Sequence, residues 1–517
     1  MTKLNPKTQN TIEHAISANG NLQIAKDQGQ TFFETLVGHM YGKDRFYTSN
    51  EDVAKRLLSD IQVLVRKNKL DYIANVILYA REKVFMRSMP ILATVYFAKA
   101  LRDSKVSFPQ LRNLVSSVIQ RADQVTDMYA VALEVFGDKR KVPNAIKRGV
   151  SDAMNKFTVY HYGKYNREAG VTFKDVVRIV HPEPRDDNQS QTFKMILENN
   201  LPVPYTWETE LSRNGQLPKE VQKTKAQLWA ELVQSGKLGY MALLRNLRNI
   251  VQSGADVIGE VAKRLVDAEQ VHISKQLPFS YLKALDAVKD APAKLKWAVS
   301  EALDVSCANV PALGKKVWII VDGSGSMLGS HYGRMGRNEA LGECPFQTAA
   351  VFCAALAKSN RDASELAVTI FSDNAQMVDL NPRDSVSTMV ENLTKKVQGG
   401  GTNLQAALNM KSRLGFEPDT VVILSDMEVN QLSTGSYGGG YSWNRQDNTI
   451  ANISKMFDKN CYKVAVNLAS GVSTPVPKEH GFVQLAGFSE RIFALIPELR
   501  NSRTTVETLF SRPFAAV

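Results

Sequence analysis

From about residue 31 to about residue 305 the apolar positions recur at helical spacing. In Val53-Ala-Lys-Arg-Leu-Leu-Ser-Asp-Ile-Gln-Val-Leu64, the side chains of Val53, Leu57, Leu58, Ile61 and Leu64 share one side. Asn144 to Phe157 repeats the pattern, with Ile146, Val150, Ala153, Met154 and Phe157 inward and Lys147, Arg148 and Lys156 outward. The same spacing predicts helices over 72–86, 90–101, 109–121, 126–136, 219–234, 240–252, 256–269 and 279–289. Such helices, joined by short connections with hardly a period-2 segment between them, predict an array of antiparallel helical pairs. No strict repeat period is present, so the array rests on element order alone.

Past Pro311 the pattern changes. Lys316-Val-Trp-Ile-Ile-Val321, Leu366-Ala-Val-Thr-Ile-Phe371, Thr420-Val-Val-Ile-Leu424, Lys463-Val-Ala-Val-Asn-Leu468 and Arg491-Ile-Phe-Ala-Leu-Ile496 read as short buried strands. Helical stretches near 345–358, 385–396, 403–413 and 448–458 separate them. Apolar strands alternating with helices predict a doubly wound, Rossmann-like parallel α/β sheet. The expected organisation is an N-terminal extension over 1–30, an all-α helical-repeat unit over 31–305, a linker over 306–315 and an α/β domain over 316–517.

Charge separates the two parts again. The net charge is +12, yet from Pro311 onward about 20 Lys and Arg face about 19 Asp and Glu. The basic surplus therefore belongs to the helical part, which makes a polyanion a candidate partner there. No run approaches the roughly 20 apolar residues of a membrane span, and Met-Thr-Lys-Leu-Asn-Pro-Lys has no apolar stretch behind it. No membrane association and no secretory signal are expected. The cysteines Cys307, Cys344, Cys353 and Cys461 fit neither a disulfide framework nor a zinc motif. A reducing, cytoplasmic setting is the expectation.

The sharpest motif is Asp322-Gly-Ser324-Gly-Ser326, directly after the first strand of the sheet. Sheets of this kind bind ligands beyond the carboxyl ends of their strands. Alternate positions bring one carboxylate and two hydroxyls to a point, all hard oxygen donors. Thr402 ends the loop Gly399-Gly-Gly-Thr, and Asp426 follows the strand ending Leu424-Ser425. Together these five residues suit Mg2+ or another divalent cation. The alternative is a serine-rich turn capping a helix, with Asp426 an unrelated acid. Two glycine-rich insertions, Leu328 to Pro345 and Gly435 to Trp443, are expected on the same face. No Gly-x-Ser-x-Gly elbow appears, and His331 is the only histidine near the motif in sequence, so no catalytic residues are assigned and an enzyme is not expected.

In the helical part, Lys164 to Pro182 carries the most information. Thr172 with Asp175 forms a capping box that predicts a helix start, and Pro182 ends it. Lys174, Arg178 and His181 then stand at i, i+4 and i+7 on one face, opposite Val176, Val177 and Val180. Long cationic arms and a ring suit contact with RNA phosphates; on periodicity alone a solvated polar face is the better reading. Arg140, Lys141, Lys147, Arg148 and Lys164 are further phosphate candidates. Arg245 and Arg248, three apart in one helix, either face RNA or bridge neighbouring helices. Tyr160, His161, Tyr162 and Tyr165 offer stacking surfaces, although aromatics in helices are more often core.

The motif Asp-x-Ser-x-Ser, then Thr402, then Asp426 resembles the metal-ion-dependent adhesion site (MIDAS) of von Willebrand A domains. Lys139-Arg-Lys-Val-Pro-Asn-Ala-Ile-Lys-Arg-Gly149, the stretch Lys164 to His181, and Leu228 to Asn249 resemble the TROVE module of the Ro autoantigen family. Leu201-Pro-Val-Pro-Tyr-Thr-Trp-Glu-Thr-Glu-Leu211 and Leu277-Pro-Phe-Ser-Tyr-Leu-Lys-Ala-Leu285 are similar too. The resemblance implies a HEAT-like helical-repeat ring, monomeric and closed by the A domain. It implies small noncoding Y-like RNA on the outer face and single-stranded 3′ ends of misfolded RNA in the central hole. Lys174, Arg178 and His181 match family positions tied to RNA, whereas Val171-Thr-Phe173 stands where the family often has Trp-Ser-His. The implied role is a noncatalytic ribonucleoprotein scaffold in RNA quality control or degradation, with polynucleotide phosphorylase or another ribonuclease as partner. The alternatives are a metal-dependent protein-interaction adaptor acting through the A domain and, third, a metal-dependent nuclease.

Overall fold

The fold is taken from a computed structural model that describes residues 14–16, 22–38, 50–166, 169–331, 344–429, 456–468, 473–476, 480–487, 492–502 and 510–515. The chain divides into two units, and neither is continuous in sequence. One comprises Met1–Thr31 with Ala312–Phe488; the other comprises Phe32–Pro311 with Ser489–Val517. This differs from the organisation expected from sequence. The expected extension 1–30 contributes strands to the α/β unit, and the end of the expected 316–517 domain packs with the helices.

The first unit begins with the hairpin β1 (His14–Ile16) and β2 (Leu22–Ala25). Its main sheet contains β3 (Lys316–Asp322), β4 (Glu365–Phe371), β5 (Ala375–Val378), β6 (Thr420–Ser425) and β7 (Tyr462–Asn467). Then follow the short β8 (Ser473–Thr474) and β9 (Phe482–Ala486). The six-stranded order is β5-β4-β3-β6-β7-β9, with β5 antiparallel at one edge and the remaining pairs parallel. The hairpin and β8 make a separate antiparallel sheet in the order β1-β2-β8. Strands β3 and β6 are buried almost throughout, as their unbroken apolar runs demand. The chain passes from β3 to β4 on one side and then to β6 on the other, so the switch point lies between β3 and β6.

Four of the five expected strands form. The fifth expectation is corrected: Arg491 to Ile496 is not a strand, because Ile492–Ser502 is a helix of the helical unit. A six-residue apolar run has no decisive period, and this one is helical because a longer helix buries Ile492, Phe493, Leu495, Ile496 and Leu499. The parallel strand next to β7 is β9 instead. Of the helix expected over 448–458, residues 448–455 lie outside the described residues, and 456–458 are not helical.

In the second unit most of the expected helices form within a few residues of their expected bounds, but 240–252 splits at Asn246 into Tyr240–Arg245 and Leu247–Ser253, 256–269 breaks after Leu265 before a separate helix Ala268–Ser274, and 219–234 begins only at Lys225. Asp187–Leu197, Trp207–Gln216 and Ala293–Ser306 are additional helices. Packing is of the stacked-pair kind. Asn50–Arg66 packs on Ser88–Asp103, which packs on Asp123–Phe136, while Leu111–Val118 packs on Asn144–Met154. The last contact is close because Gly149 has no side chain; a Cβ there would lie 2.6 Å from the carbonyl oxygen of Arg112. The C-terminal segment seals this unit. Phe510 is buried beside Phe33, Tyr72 and Tyr79, and the Asn75 amide donates to the carbonyls of Phe510 (3.0 Å) and Arg512 (2.8 Å). No helix among the described residues is long and apolar enough to cross a membrane.

Candidate metal centre and nucleic-acid interface

Asp322 closes β3 and Asp426 follows β6, so the two carboxylates flank the switch point on adjacent strands. Asp322, Ser324, Thr402 and Asp426 are all buried. The Ser425 hydroxyl donates to Asp322 Oδ2 (2.5 Å), the Ser324 amide donates to Asp322 Oδ1 (2.9 Å), and the hydroxyls of Ser324 and Ser326 lie 3.1 Å apart. Ser326 in turn hydrogen-bonds Asp426. Thr402 is brought in by its loop, since the Gly325 amide donates to the Gly400 carbonyl (2.9 Å) and the Gly399 amide to the Gly323 carbonyl (3.1 Å). Gly400 sits at φ +90 with the Asp373 carboxylate 2.2 Å from where a Cβ would stand, so any side chain here would strain the turn and displace Asp373.

The electrostatics suit a cation. Burial, and then the Asp426 charge, pushes the Asp322 carboxyl up to about 7. Burial also raises Asp426, against the hydrogen bond from Ser326. Asp426 Oδ1 accepts from the Glu428 amide (3.1 Å), but Oδ2 is buried without a hydrogen-bond partner among the described residues. Two adjacent buried carboxylates with an orphaned oxygen are costly unless a positive charge joins them. Among the described residues no group of three His, Cys, Asp or Glu side chains forms a metal cluster. The donor set here is of a different kind: two carboxylates and three hydroxyls, all hard oxygen.

In the helical unit the expected RNA-facing residues fall into separate places. The capping box forms as read: Thr172 accepts from the Asp175 amide, and the Asp175 carboxylate accepts from the Thr172 amide (3.0 Å). The helix ends at Val180, and His181 is its left-handed cap at φ 46. Lys174 is therefore half-buried and Arg178 exposed on the helix, while exposed His181 turns away from it to line a polar cavity of about 730 Å3. There it joins Lys147, Arg148, Arg112 and Arg185. Arg112 is held by a bidentate pair with Asp152 (2.6 and 2.7 Å). Arg140 and Lys141 lie apart, in the exposed connection before the helix Asn144–Met154. Exposed Lys164 stands 5.6 Å from the Tyr165 ring centroid. Of the aromatics, Tyr162 is core and donates to the Met154 carbonyl (2.7 Å), whereas Tyr160 and His161 are exposed.

Arg245 and Arg248 separate as well. Both are exposed, but only Arg245 lines a cavity of about 1000 Å3. Arg81, Arg87, Arg121, Lys275 and Lys283 also line it, and no Asp or Glu does. Arg81 is fully engaged, donating to the carbonyls of Val118 and Met86 and to Gln124. Burial and the charges of Arg87 and Arg121 push its guanidinium down to about 10. Arg87 is lowered too, by burial first and then by Arg121. Arg121 pairs with Asp123 and lies 4.8 Å over the Tyr165 ring. Neither Arg87 nor Arg245 has a hydrogen-bond or ion-pair partner among the described residues. The apolar part of the wall includes Phe85, Met241 and Leu244. Phe85 is 42% exposed at φ 57, with the Lys275 ammonium 5.4 Å from its centroid.

A TROVE domain model matches residues 198–306, and a von Willebrand factor type A domain model matches residues 317–428. The chain carries a TROVE domain followed by a von Willebrand A domain. "Telomerase protein component 1" of Mus musculus is 38% identical over 99 residues, covering 19% of this chain and 4% of that protein. The Rattus norvegicus protein of the same name is 24% identical over 318 residues, 44% of this chain and 12% of that protein. The chain thus spans at most 12% of the length of these two relatives. The Ro protein of Deinococcus radiodurans has a similar fold, with a TM-score of 0.61 at 18% identity, over 94% of this chain and 99% of that one.

All five oxygen donors lie within the A-domain match, whereas Arg245 and Arg248 alone of the RNA candidates lie within the TROVE match. Sequence reasoning missed Phe85, Arg87, Arg121, Lys275 and Lys283. Their segments are up to about 200 residues apart, so no local period could group them. The insertions Leu328 to Pro345 and Gly435 to Trp443 lie largely or wholly outside the described residues.

Proposed function

We propose that this chain is a noncatalytic RNA-binding scaffold whose TROVE part holds RNA at two places. The observation that carries the reading is the large cavity: six Lys or Arg side chains, no acid, and an exposed aromatic ring beside them. Like charges gathered in one cavity repel one another, and a polyanion relieves that repulsion. A cationic groove with an aromatic platform is the chemistry that binds unpaired nucleotides. We assign this cavity to single-stranded 3′ ends of misfolded RNA, as a central hole would be used in a ring. The second cavity, with Lys147, Arg148 and His181, presents cations and a ring on an exposed surface. It suits the phosphates of a structured RNA, for which a Y-like noncoding RNA is our proposal.

In the A domain, Asp322, Ser324, Ser326, Thr402 and Asp426 would hold Mg2+ or another divalent cation. Such an ion supplies an open position for an acidic group of a partner. A ribonuclease such as polynucleotide phosphorylase, recruited in the cytoplasm, is the partner class proposed. The orphaned Asp426 oxygen favours a second reading, in which cation-dependent protein binding is the main activity and RNA is secondary.

The test is binding of a structured RNA with a single-stranded 3′ tail, measured for the wild type, Arg87→Ala/Arg245→Ala, Lys147→Ala/Arg148→Ala/His181→Ala and Asp322→Ala. The scaffold reading expects each basic variant to lose affinity and Asp322→Ala to retain it, with no RNA turnover in Mg2+. Undiminished binding by both basic variants would give the adaptor reading the lead.

A further inference from the structure

The turn that carries Asp426 is conformationally unusual, and a residue from the far end of the chain holds it. Met427 has φ 60, in the left-handed region that side chains other than glycine seldom occupy. This conformation turns the Met427 side chain into the core, beside Trp318 and Val429, while the preceding carboxylate faces Ser326. Three hydrogen bonds fix the turn from within. The Met427 amide donates to the Ser425 hydroxyl (2.9 Å), that hydroxyl donates to Asp322 (2.5 Å), and the Glu428 amide donates to Asp426 (3.1 Å). The Met427 carbonyl takes its side-chain hydrogen bond from outside the turn: the Gln23 amide donates to it at 3.0 Å. Gln23 is 1% exposed and belongs to β2, which is held between β1 and β8.

We infer that Gln23 is a positioning residue of the cation site, holding the Met427 turn so that the Asp426 carboxylate stays aimed at Asp322 and the serines. The inference rests on the reading of this site as a cation site. It makes the N-terminal hairpin a working part of a domain whose family match starts only at residue 317. Without the Gln23 amide, a strained turn loses the side chain that holds its carbonyl. It can then relax toward an ordinary backbone conformation, moving the carboxylate. Outer-shell partners of metal ligands are typically worth about ten- to a hundredfold in metal affinity.

The full chain supplies a matched control. The Gln30 amide donates to the Gln484 carbonyl (2.8 Å), a bond of the same kind between the same N-terminal segment and β9, away from the metal turn. The probe is Mn2+, with free ion counted by electron paramagnetic resonance, alongside the Tm of each protein in EDTA. Gln23→Met is expected to weaken Mn2+ binding about tenfold or more, while Gln30→Met binds as the wild type does. Both variants are expected to lower the metal-free Tm slightly, which separates positioning from general stability. Wild-type Mn2+ affinity in Gln23→Met, or equal weakening in both variants, overturns the inference while leaving the cation site standing. Absence of Mn2+ binding by the wild type overturns both.

Discussion

Replacing Arg87 and Arg245 by alanine tests the large cavity directly. The cations placed to reach a phosphate there are Arg87, Arg245 and Lys275, since Arg81 is spent on three acceptors and Arg121 on Asp123. Each phosphate neutralised on a single strand releases condensed counterions, giving a slope of about −0.7 in log affinity against log salt. Three contacts then predict a slope of about −2.1, so affinity falls roughly 18-fold between about 50 and about 200 mM salt. With two contacts removed, the slope is about −0.7 and the fall only about threefold. The assay is fluorescence anisotropy of a labelled single-stranded oligoribonucleotide across that salt series. Stability provides an internal check. Arg87 is held below its ordinary value by burial and then by Arg121 and Arg245, so losing both arginines relieves repulsion in the free protein. The variant should therefore melt no lower than the wild type while binding RNA less tightly. An unchanged salt slope in a folded variant would refute the cavity as the single-strand site.

Phe85→Ala should weaken the same oligonucleotide by about 1–3 kcal/mol with an unchanged salt slope, because stacking releases no counterions; a changed slope with unchanged affinity in low salt would contradict a stacking role. Asp322 titrates with a folded value near 7, above the ordinary carboxylate range, so its contribution to metal-free stability is full below about pH 4 and is lost as pH rises through about 7. Mg2+ at the proposed site would compete with that proton, so the Tm gained on adding Mg2+ should grow from about pH 6 to about pH 8 and vanish in Asp322→Ala; a pH-independent gain would count against the site. Phe510→Ala should lower stability of the helical unit by about 3–5 kcal/mol, read from urea unfolding, because the ring is buried among three others. A loss below about 1 kcal/mol would mean that the C-terminal segment is not part of that core.

Much of the local structure was legible in the sequence. Helical spacing of Leu57, Ile61 and Leu64, the box of Thr172 with Asp175, and the apolar runs of β3, β4, β6 and β7 are near-neighbour patterns, and near neighbours decide helices and buried strands. The closeness of Asp322 and Asp426 was legible too, because one ends β3 and the other follows β6, and the doubly wound order places those parallel strands side by side. Arg491 to Ile496 was not, since an apolar run of six has no period to separate helix from strand. Nor was the left-handed cap at His181, which ends the helix at Val180, or the cavity that His181 lines with Lys147 and Arg148.

What only the tertiary structure decided is the meeting of distant segments. Gln23 reaches Met427 across 404 residues, Asn75 reaches Phe510 across 435, and the cavity of Arg87, Arg121, Arg245 and Lys275 is assembled from four stretches of chain. The sequence by itself determined which residues have the chemistry to hold a cation or a phosphate. Their juxtaposition follows from which buried faces match when the helices stack and the sheet closes, a global packing condition that no window of local sequence contains.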